Sequence, residues 1–458
     1  MTRFRLVLPS MLALLVLVVA CRHSTTPSNT THRTQKTPTY QTDRSATESR
    51  LTARRGPLVV TKNTEPQLRI RIGRELPTAT LTASSSITVG PGVKDIGKAR
   101  PYTFQSPLRI THDRQGFVLT EPNGTTVRWR LTTLEIRSQA GNITIATPGS
   151  QDNPYPGRIE LVANTNKANQ NLGTFDAINR VGMESYLPGV LSKELYPNWD
   201  LKAYRAQAIA ARSYAIWEMN LPIRKNSHFD LEASQASQAY IGAKASDKAR
   251  TAVADTAGKV LVYESRVLPA FYSSCSGGVG QDAIAAWPEK VDDLAPLRGR
   301  VHGGWGQAST KFRWGPIQRD RATLSKRIAA WGKVNNHPVS RIGQLSSVQV
   351  SKVNKVRRPT MLRVTDSTGQ RFDMTCEDLR MATNFPAGSL PKIEPANLAF
   401  SSHAVYKVTG NAVTITGQGF GHGVGMCQFG AQHMASTGTR SDKILAFYYP
   451  GAKIQKAY

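Results

Sequence analysis

The sequence is short of cysteine, of acidic residues and of long apolar runs. It has 4 Cys in 458 residues, and no CxxC pair or Cys/His spacing of the kind that holds structural zinc. Asp and Glu number 31 against 59 Lys and Arg, so the formal net charge is +28. A chain this basic favours an anionic neighbour such as nucleic acid, anionic lipid or an acidic wall polymer, and charge alone does not choose among them.

One apolar run, residues 6–19, follows a basic start and ends just before a small residue and Cys21. These features are typical of an export signal, and the run is too short for a transmembrane helix. The letters VVAC resemble the bacterial lipoprotein box, in which the cysteine is lipidated after cleavage; the alternative is an ordinary signal with a chance cysteine. We expect 1–21 to be a lipoprotein signal peptide and Cys21 the lipidation site. The protein is then exported, anchored at the cell envelope and separated from nucleic acid.

Composition divides the rest of the chain. Residues 22–64 are rich in Thr, Ser, Pro and Arg with almost no apolar periodicity, which predicts a flexible tether. Residues 65–458 mix β-branched alternation, as in LRIRI and TVRWRL, with helical patterns. Asp200 is predicted to cap a helix that follows it. We expect an α+β fold: a strand-rich core with packed outer helices and β-rich insertions.

The densest glycine segment is GQGFGHGVGMCQFGA, residues 417–431. Glycine permits positive φ and lets the backbone approach another group closely. The spacing is not the GxGxxG dinucleotide fingerprint, and no Gly-Lys-Ser/Thr follows it. We interpret the loop as bringing His422 and Gln428 to the wall of a cleft. The alternative is a buried histidine in a tight turn.

Two other stretches carry reactive groups. Glu194 is expected in a short turn before the helix, near Tyr196 and Trp199, where desolvation can raise the pKa of a carboxyl and suit it to general acid catalysis; the alternative is a surface carboxylate. The helix itself carries Gln207 and Arg212, which could face the same space. The letters YSSCSGG, 272–278, end a strand in a polar loop without a GxSxG elbow, so a nucleophile there has no further support.

Taken together and in this order, the motifs resemble the SpoIID family, which comprises stage II sporulation protein D and the amidase enhancer LytB. The matching stretches are MESYLPGVLSKE, LKAYRAQAIAARSYA, QAYIG, AFYSSCSGG, LRMATNF and GFGHGVGMCQFGAQHMASTGTRSDKILAFYYPGAKI. Several long motifs in order are far more specific than any one of them. The resemblance covers roughly residues 67–458.

The resemblance implies that residues 65–458 are a catalytic region and that the protein is a peptidoglycan lytic transglycosylase. Such enzymes cut glycan strands, often strands stripped of stem peptides, and leave 1,6-anhydro-N-acetylmuramic ends. The residue matching the family's catalytic glutamate is Glu194. The positions expected to line the substrate cleft are Tyr272, Ser273, Ser274, His422 and Gln428. Gln207 and Arg212 are expected to bind substrate beside them or to support that wall.

The resemblance leaves a second function open, that of a non-catalytic peptidoglycan-binding activator of an N-acetylmuramoyl-L-alanine amidase. Some relatives hold zinc in the element matching residues 232–237, where this chain offers only Glu232, so neither a metal nor a cofactor is predicted. The expected partners are glycan strands, a membrane through the lipid anchor, and an amidase. Because Cys275 and Cys427 fall in loops expected along one cleft, a disulfide between them is one arrangement that stays open.

Overall fold

The computed structural model describes residues 50–59, 64–147, 152–166 and 170–458. Within these ranges the helices are α1 (50–55), α2 (Met183–Glu194), α3 (Leu201–Met219), α4 (Pro222–Lys225), α5 (Asp247–Asp255), α6 (Ala283–Ala286), α7 (Arg321–Val334), α8 (Cys376–Thr383), α9 (Gln428–Ser436) and α10 (Ser441–Tyr448). None of these helices combines the length and apolarity that crossing a membrane requires.

The strands in the same ranges are β1 (Gln67–Leu76), β2 (Thr78–Thr82), β3 (Ile87–Pro91), β4 (Tyr102–Phe104), β5 (Leu108–Asp113), β6 (Gly116–Thr120), β7 (Thr126–Trp129), β8 (Thr133–Ser138), β9 (Ile143–Ala146), β10 (Asn153–Tyr155), β11 (Arg158–Thr165), β12 (Asn171–Gly182), β13 (Leu231–Glu232), β14 (Lys259–Tyr263), β15 (Arg266–Val267), β16 (Tyr272–Ser273), β17 (Arg313–Asp320), β18 (Leu345–Val353), β19 (Pro359–Asp366), β20 (Arg371–Thr375), β21 (Ala404–Thr409), β22 (Ala412–Gln418), β23 (Met426–Cys427) and β24 (Lys453–Lys456).

The first half of the fold is built on two large sheets. One has seven strands in the order β13-β1-β12-β11-β8-β3-β4, and the other has six in the order β10-β9-β2-β5-β6-β7. Their alternating apolar residues form one buried cluster, which also receives residues of α2, α3 and α5. This arrangement confirms the mixed α+β class that the alternation predicted.

Helix α3 lies inside the molecule, not on its outside. Its N-cap is Asp200, whose side chain accepts a hydrogen bond from the Lys202 N–H, as predicted. One stripe of its alanines joins the cluster under the large sheets, and another joins a second cluster made with α9 and α10. Because alanine is small, neighbouring elements approach α3 closely on both sides. The helix therefore connects the N-terminal sheets to the C-terminal helices.

A separate cluster of buried side chains lies between α6 and β23 along the chain. It is formed by the sheets β17-β22-β21 and β18-β19-β20 together with α7 and α8. We call residues 298–425 the insertion. Since these residues bury their own core, they form the β-rich insertion that the sequence predicted.

The predicted signal peptide, the lipidation site Cys21 and most of the predicted tether lie outside the described residues. The described part of the tether packs on the folded body. The indole N–H of Trp217 donates to the Ala53 carbonyl at 3.1 Å. Arg55 forms ion pairs with Glu264 at 3.1 Å and with Asp292 at 3.2 Å. The folded part of the chain therefore includes residues before 65, which composition had assigned to the tether.

Candidate active site

Glu194 is the last residue of α2, not part of a turn as expected. The helix accommodates Pro188 and Gly189, and a methyl group at Gly189 would lie 2.3 Å from the Gly242 carbonyl oxygen. Glycine at this position therefore allows α2 to pack directly against residues 240–242. This close contact sets the end of α2, and with it Glu194, against residues 237–239.

The Glu194 carboxyl is partly buried and receives two hydrogen bonds. The Ala239 N–H donates to Oε1 at 3.2 Å, and the Gln428 side-chain amide donates to Oε2 at 3.2 Å. Burial raises the pKa of Glu194, although both donors and nearby Lys193 act in the opposite direction. The partial negative charge at the C-terminus of α2 also disfavours a carboxylate. The site therefore favours the protonated acid.

Residues 237–239 organise the polar groups around Glu194. The Gln238 side-chain amide donates to Tyr272 Oη at 2.8 Å, and its oxygen accepts from Tyr186 Oη at 3.3 Å. Neither Gln238 nor Tyr186 was among the predicted site residues. The QAYIG match contained the signal for Gln238, but no local pattern assigns it a partner.

Tyr272 lies opposite the C-terminal glycine loop. Strands β16 and β23 are parallel and pair Tyr272 with Met426 and Ser273 with Cys427. Burial and the charge of Glu194 raise the pKa of Tyr272 well above its usual value, so its hydroxyl stays protonated. Ser273 is buried, and its hydroxyl has no hydrogen-bond partner among the described residues. Of Ser274, the carbonyl accepts from the Phe429 N–H at 3.1 Å.

Arg212 does not contact Glu194 but binds another carboxylate. Its guanidinium is fully buried and donates to both oxygens of Glu184, at 2.9 and 2.7 Å. It also donates to the Lys259 carbonyl at 3.1 Å, and Tyr458 Oη donates to Glu184 Oε1. The expectation that Arg212 binds substrate is therefore wrong. It joins α2, α3, β14 and the C-terminus, because a buried guanidinium needs a carboxylate partner.

Gln207 is fully buried, and neither its amide nitrogen nor its oxygen has a hydrogen-bond partner in the described part of the chain. It lies on the same face of α3 as Ala211, whose carbonyl accepts from the Gln238 amide at 3.2 Å. Gln207 thus lies on the side of α3 that supports the Glu194 region. Its contact with a substrate stays a prediction.

His422 lies half-buried in the tight turn, and its place on the wall of a cleft stays a prediction. Its Nδ1 accepts from the Val424 N–H at 3.0 Å, and its ring centroid lies 4.9 Å from that of Trp287. Burial lowers the pKa of His422 to about 4, so the ring is neutral at neutral pH. Its carbonyl accepts from buried Arg358 at 3.3 Å. No described hydrogen bond joins His422 to Glu194.

Glu232, the remaining position of the zinc element, is engaged by an arginine. Arg71 donates to its carboxylate and also to Asp176 Oδ2, at 2.9 Å. His228 Nε2 contacts the same Asp176 oxygen at 2.9 Å. Among the described residues, no group of three or more His, Cys, Asp or Glu side chains is placed to hold a metal ion. The guanidinium supplies positive charge to this acidic pair.

Sequence comparisons give two family matches. The family described as "SpoIID: Stage II sporulation protein" matches residues 171–263, which include α2, α3 and Glu194. A domain of unknown function (DUF8618) matches residues 298–425, the insertion. The two matched ranges do not overlap: the first includes the central helices, and the second includes the residues of the separate core, which run from Trp314 to Ile415.

Curated proteins similar to this chain include proteins of Brachyspira and of Bacillus. An uncharacterized protein of Brachyspira hyodysenteriae is 30% identical over 291 residues, covering 61% of this chain and 68% of that protein. The amidase enhancer of Bacillus subtilis is 26% identical over 294 residues, 58% of this chain and 40% of the enhancer. Stage II sporulation protein D of Bacillus amyloliquefaciens is 26% identical over 298 residues, 61% of this chain and 76% of that protein.

Proposed function

Because this chain belongs to the SpoIID family, we propose that it remodels the bacterial cell wall by cleaving glycan strands as a peptidoglycan lytic transglycosylase. The observation that carries the proposal is the carboxyl of Glu194. It is held by two donors from distant segments, and burial raises its pKa. General acid catalysis is favoured by a carboxyl that holds its proton to higher pH than an exposed glutamate does.

In this mechanism Glu194 acts twice. Its proton passes to the glycosidic oxygen between N-acetylmuramic acid and N-acetylglucosamine as the C1–O bond breaks. The resulting carboxylate then accepts the proton of the muramic C6 hydroxyl while that oxygen bonds to C1. The product is a 1,6-anhydro end, no water is consumed, and Glu194 is protonated again.

The neighbouring groups suit this cycle. Gln428 and the Ala239 N–H each donate to one oxygen of Glu194, so they stabilise the carboxylate formed midway. Tyr272 Oη accepts from Gln238, which leaves its own hydrogen for a sugar oxygen as charge develops there.

A one-carboxylate mechanism is consistent with the contacts of Glu218, a buried acid that, like Glu194, lies close enough to Tyr272 to raise the pKa of its hydroxyl. Hydrolytic glycosidases generally use two carboxyl groups. Glu218 lies on α3, but it is paired with Arg224 at 2.9 Å and accepts from Ser237 Oγ at 2.7 Å. It is therefore committed to its own contacts and is not placed as a second catalytic carboxylate.

The proposed substrate is glycan whose stem peptides have been removed, and the proposed location is the cell envelope, with lipidated Cys21 as the anchor. The charge of +28 supports an anionic envelope surface as the environment. The similarity to an amidase enhancer supports the second candidate function, in which the protein binds the wall and activates an amidase without cutting glycan.

The test is mass spectrometry of glycan products. The full chain is incubated with intact and with peptide-stripped peptidoglycan, beside Glu194→Gln and the control Glu394→Gln. The control makes the same charge change at an exposed residue of the insertion. We expect anhydro-muramic products from wild type and from Glu394→Gln, and a loss of at least about 100-fold for Glu194→Gln, because general acid catalysis contributes that much.

The outcomes separate the two candidate functions. If products form only from stripped strands, an amidase must remove the stem peptides before this enzyme can act. If wild type binds the wall without forming anhydro ends, the transglycosylase proposal fails, and stimulation of a purified amidase becomes the measurement that decides on the activator function.

A further inference from the structure

Two buried thiols lie side by side behind the candidate active site. Cys275 and Cys427 are each 1% exposed, and both are free. A methyl group at Gly306 would lie 3.0 Å from Sγ of Cys275 and 3.6 Å from Sγ of Cys427, so both sulfurs face the same point of bare backbone. The sequence left a disulfide between Cys275 and Cys427 open. In the structure the two residues are neighbouring free thiols.

The surroundings of Cys427 favour a thiolate. Its Sγ accepts from the backbone N–H groups of Ser276 and Gly430, both at 3.4 Å. It is also the N-cap residue of α9, where the helix dipole stabilises negative charge. The neighbouring Cys275 thiol and these backbone donors lower the pKa of Cys427, while the Cys275 Sγ itself lies 3.6 Å from the Gly306 carbonyl oxygen, to which it donates. The pair thus divides into a nucleophilic sulfur and a neighbouring thiol.

The position of the pair connects two parts of the molecule. Cys275 precedes the insertion, and Cys427 follows it. Cys275 is three residues after Tyr272, while Cys427 immediately precedes Gln428, the donor to Glu194. A bond between the two sulfurs would close the whole insertion into one loop and tie the segment after β16, which carries Tyr272, to β23, which leads directly into Gln428.

We propose that Cys275 and Cys427 form an oxidation site at which a peroxide converts the two thiols into a disulfide. A small oxidant is required because both sulfurs are buried, which excludes bulky disulfides from the folded protein. The site is independent of the proposed glycan chemistry and does not rest on it.

The reaction balances in two steps. The Cys427 thiolate attacks one peroxide oxygen, the O–O bond breaks, and the hydroxide that leaves takes a proton to become water. Cys427 is then a sulfenic acid. Sγ of Cys275 loses its proton and attacks Sγ of Cys427, the S–O bond breaks, and a second water leaves. Two thiols lose two electrons, and the peroxide gains them.

The structure provides an internal control in Cys376. It is 2% exposed, like the pair, but burial raises its pKa to about 12. The full chain is treated with hydrogen peroxide, alkylated after unfolding and mapped by peptide mass spectrometry. We expect the Cys275 and Cys427 peptides to be linked and about 2 Da lighter than the two thiol peptides together. Cys376 should remain alkylated, and a reductant should reverse the link.

Further measurements make the result decisive. The rate of linking should rise with pH, because the attacking group is the Cys427 thiolate, whose formation the surrounding donors favour. Cys275→Ser should give sulfenic or sulfinic acid on Cys427 with no link, whereas Cys376→Ser should behave as wild type. The proposal is overturned if Cys275 and Cys427 stay alkylated after peroxide treatment, or if Cys376 is oxidised as fast as they are.

Discussion

At the scale of single residues, Glu194 combines a cost in stability with its candidate role. Its pKa is raised in the folded protein, so the folded state holds this proton to higher pH than the unfolded state does. Below both pKa values the carboxyl is neutral in either state and costs nothing. As pH rises through the folded value, the buried charge increasingly destabilises the fold.

Glu194→Gln should therefore stabilise the protein at pH 7 and should have little effect at pH 4. We expect a gain on the order of 1 kcal/mol at pH 7, typical of relieving strain at a functional site. Urea unfolding at the two pH values measures it. The exposed control Glu394→Gln should change neither value, and a destabilised Glu194→Gln at pH 7 would contradict this account of the site.

At the scale of elements, close packing as well as backbone conformation requires glycine in the loop of residues 417–431. Gly425 has φ +68°, and a methyl group on it would lie 2.0 Å from the Phe271 carbonyl oxygen. Gly423 is packed against the guanidinium of Arg358, whose nearest atom would be 2.4 Å from the added methyl group. The loop therefore packs between Phe271, just before β16, and Arg358, in the turn between β18 and β19. This close packing explains why so many glycines surround His422.

A comparison of Gly425→Ala with Gly410→Ala separates the effect of close packing from the effect of backbone conformation. Gly410 has φ +56°, but a methyl group on it would meet nothing within 4 Å. Gly410→Ala should cost about 1 kcal/mol, the cost of the left-handed conformation. Gly425→Ala should cost at least about 3 kcal/mol, because backbone must move as well. Equal losses in chemical denaturation would show that close packing is unimportant.

At the scale of the whole molecule, three histidines around the insertion predict acid sensitivity. Burial lowers the pKa of His302 to about 3 and the pKa values of His403 and His422 to about 4. Unfolding returns them to about 6.5, so the unfolded state takes up protons first as the pH falls. Stability from these groups is complete above pH 6.5 and is lost towards pH 4.

The free energy of unfolding should fall by about 2 kcal/mol per histidine between pH 7 and pH 5. Urea titrations across this range measure the slope. His403→Gln should remove about a third of it, and a change at the exposed His433 should leave it intact. A flat profile from pH 7 to pH 5 would contradict the burial of these rings.

Local patterns were enough to predict some of this structure. The Asp200 cap and the helix after it follow from a carboxylate before an alanine-rich run, which is local chemistry. The α+β class follows from short alternating strands, and the resemblance in ordered motifs indicated the family. Glu194 and Gln428 could be singled out for the same reason, since each lies in a motif that can be read without knowing its neighbours.

Only tertiary packing determined which groups the site residues contact. Arg212 and Gln207 lie on one helix, yet Arg212 binds Glu184 while Gln207 has no described partner, and no spacing along α3 distinguishes them. The neighbouring sulfurs of Cys275 and Cys427, at opposite ends of the insertion, depend on how that insertion folds back on itself. Burial and pairing are properties of surroundings assembled from distant segments, so the sequence by itself determined the chemical groups and the three-dimensional fold determined their states.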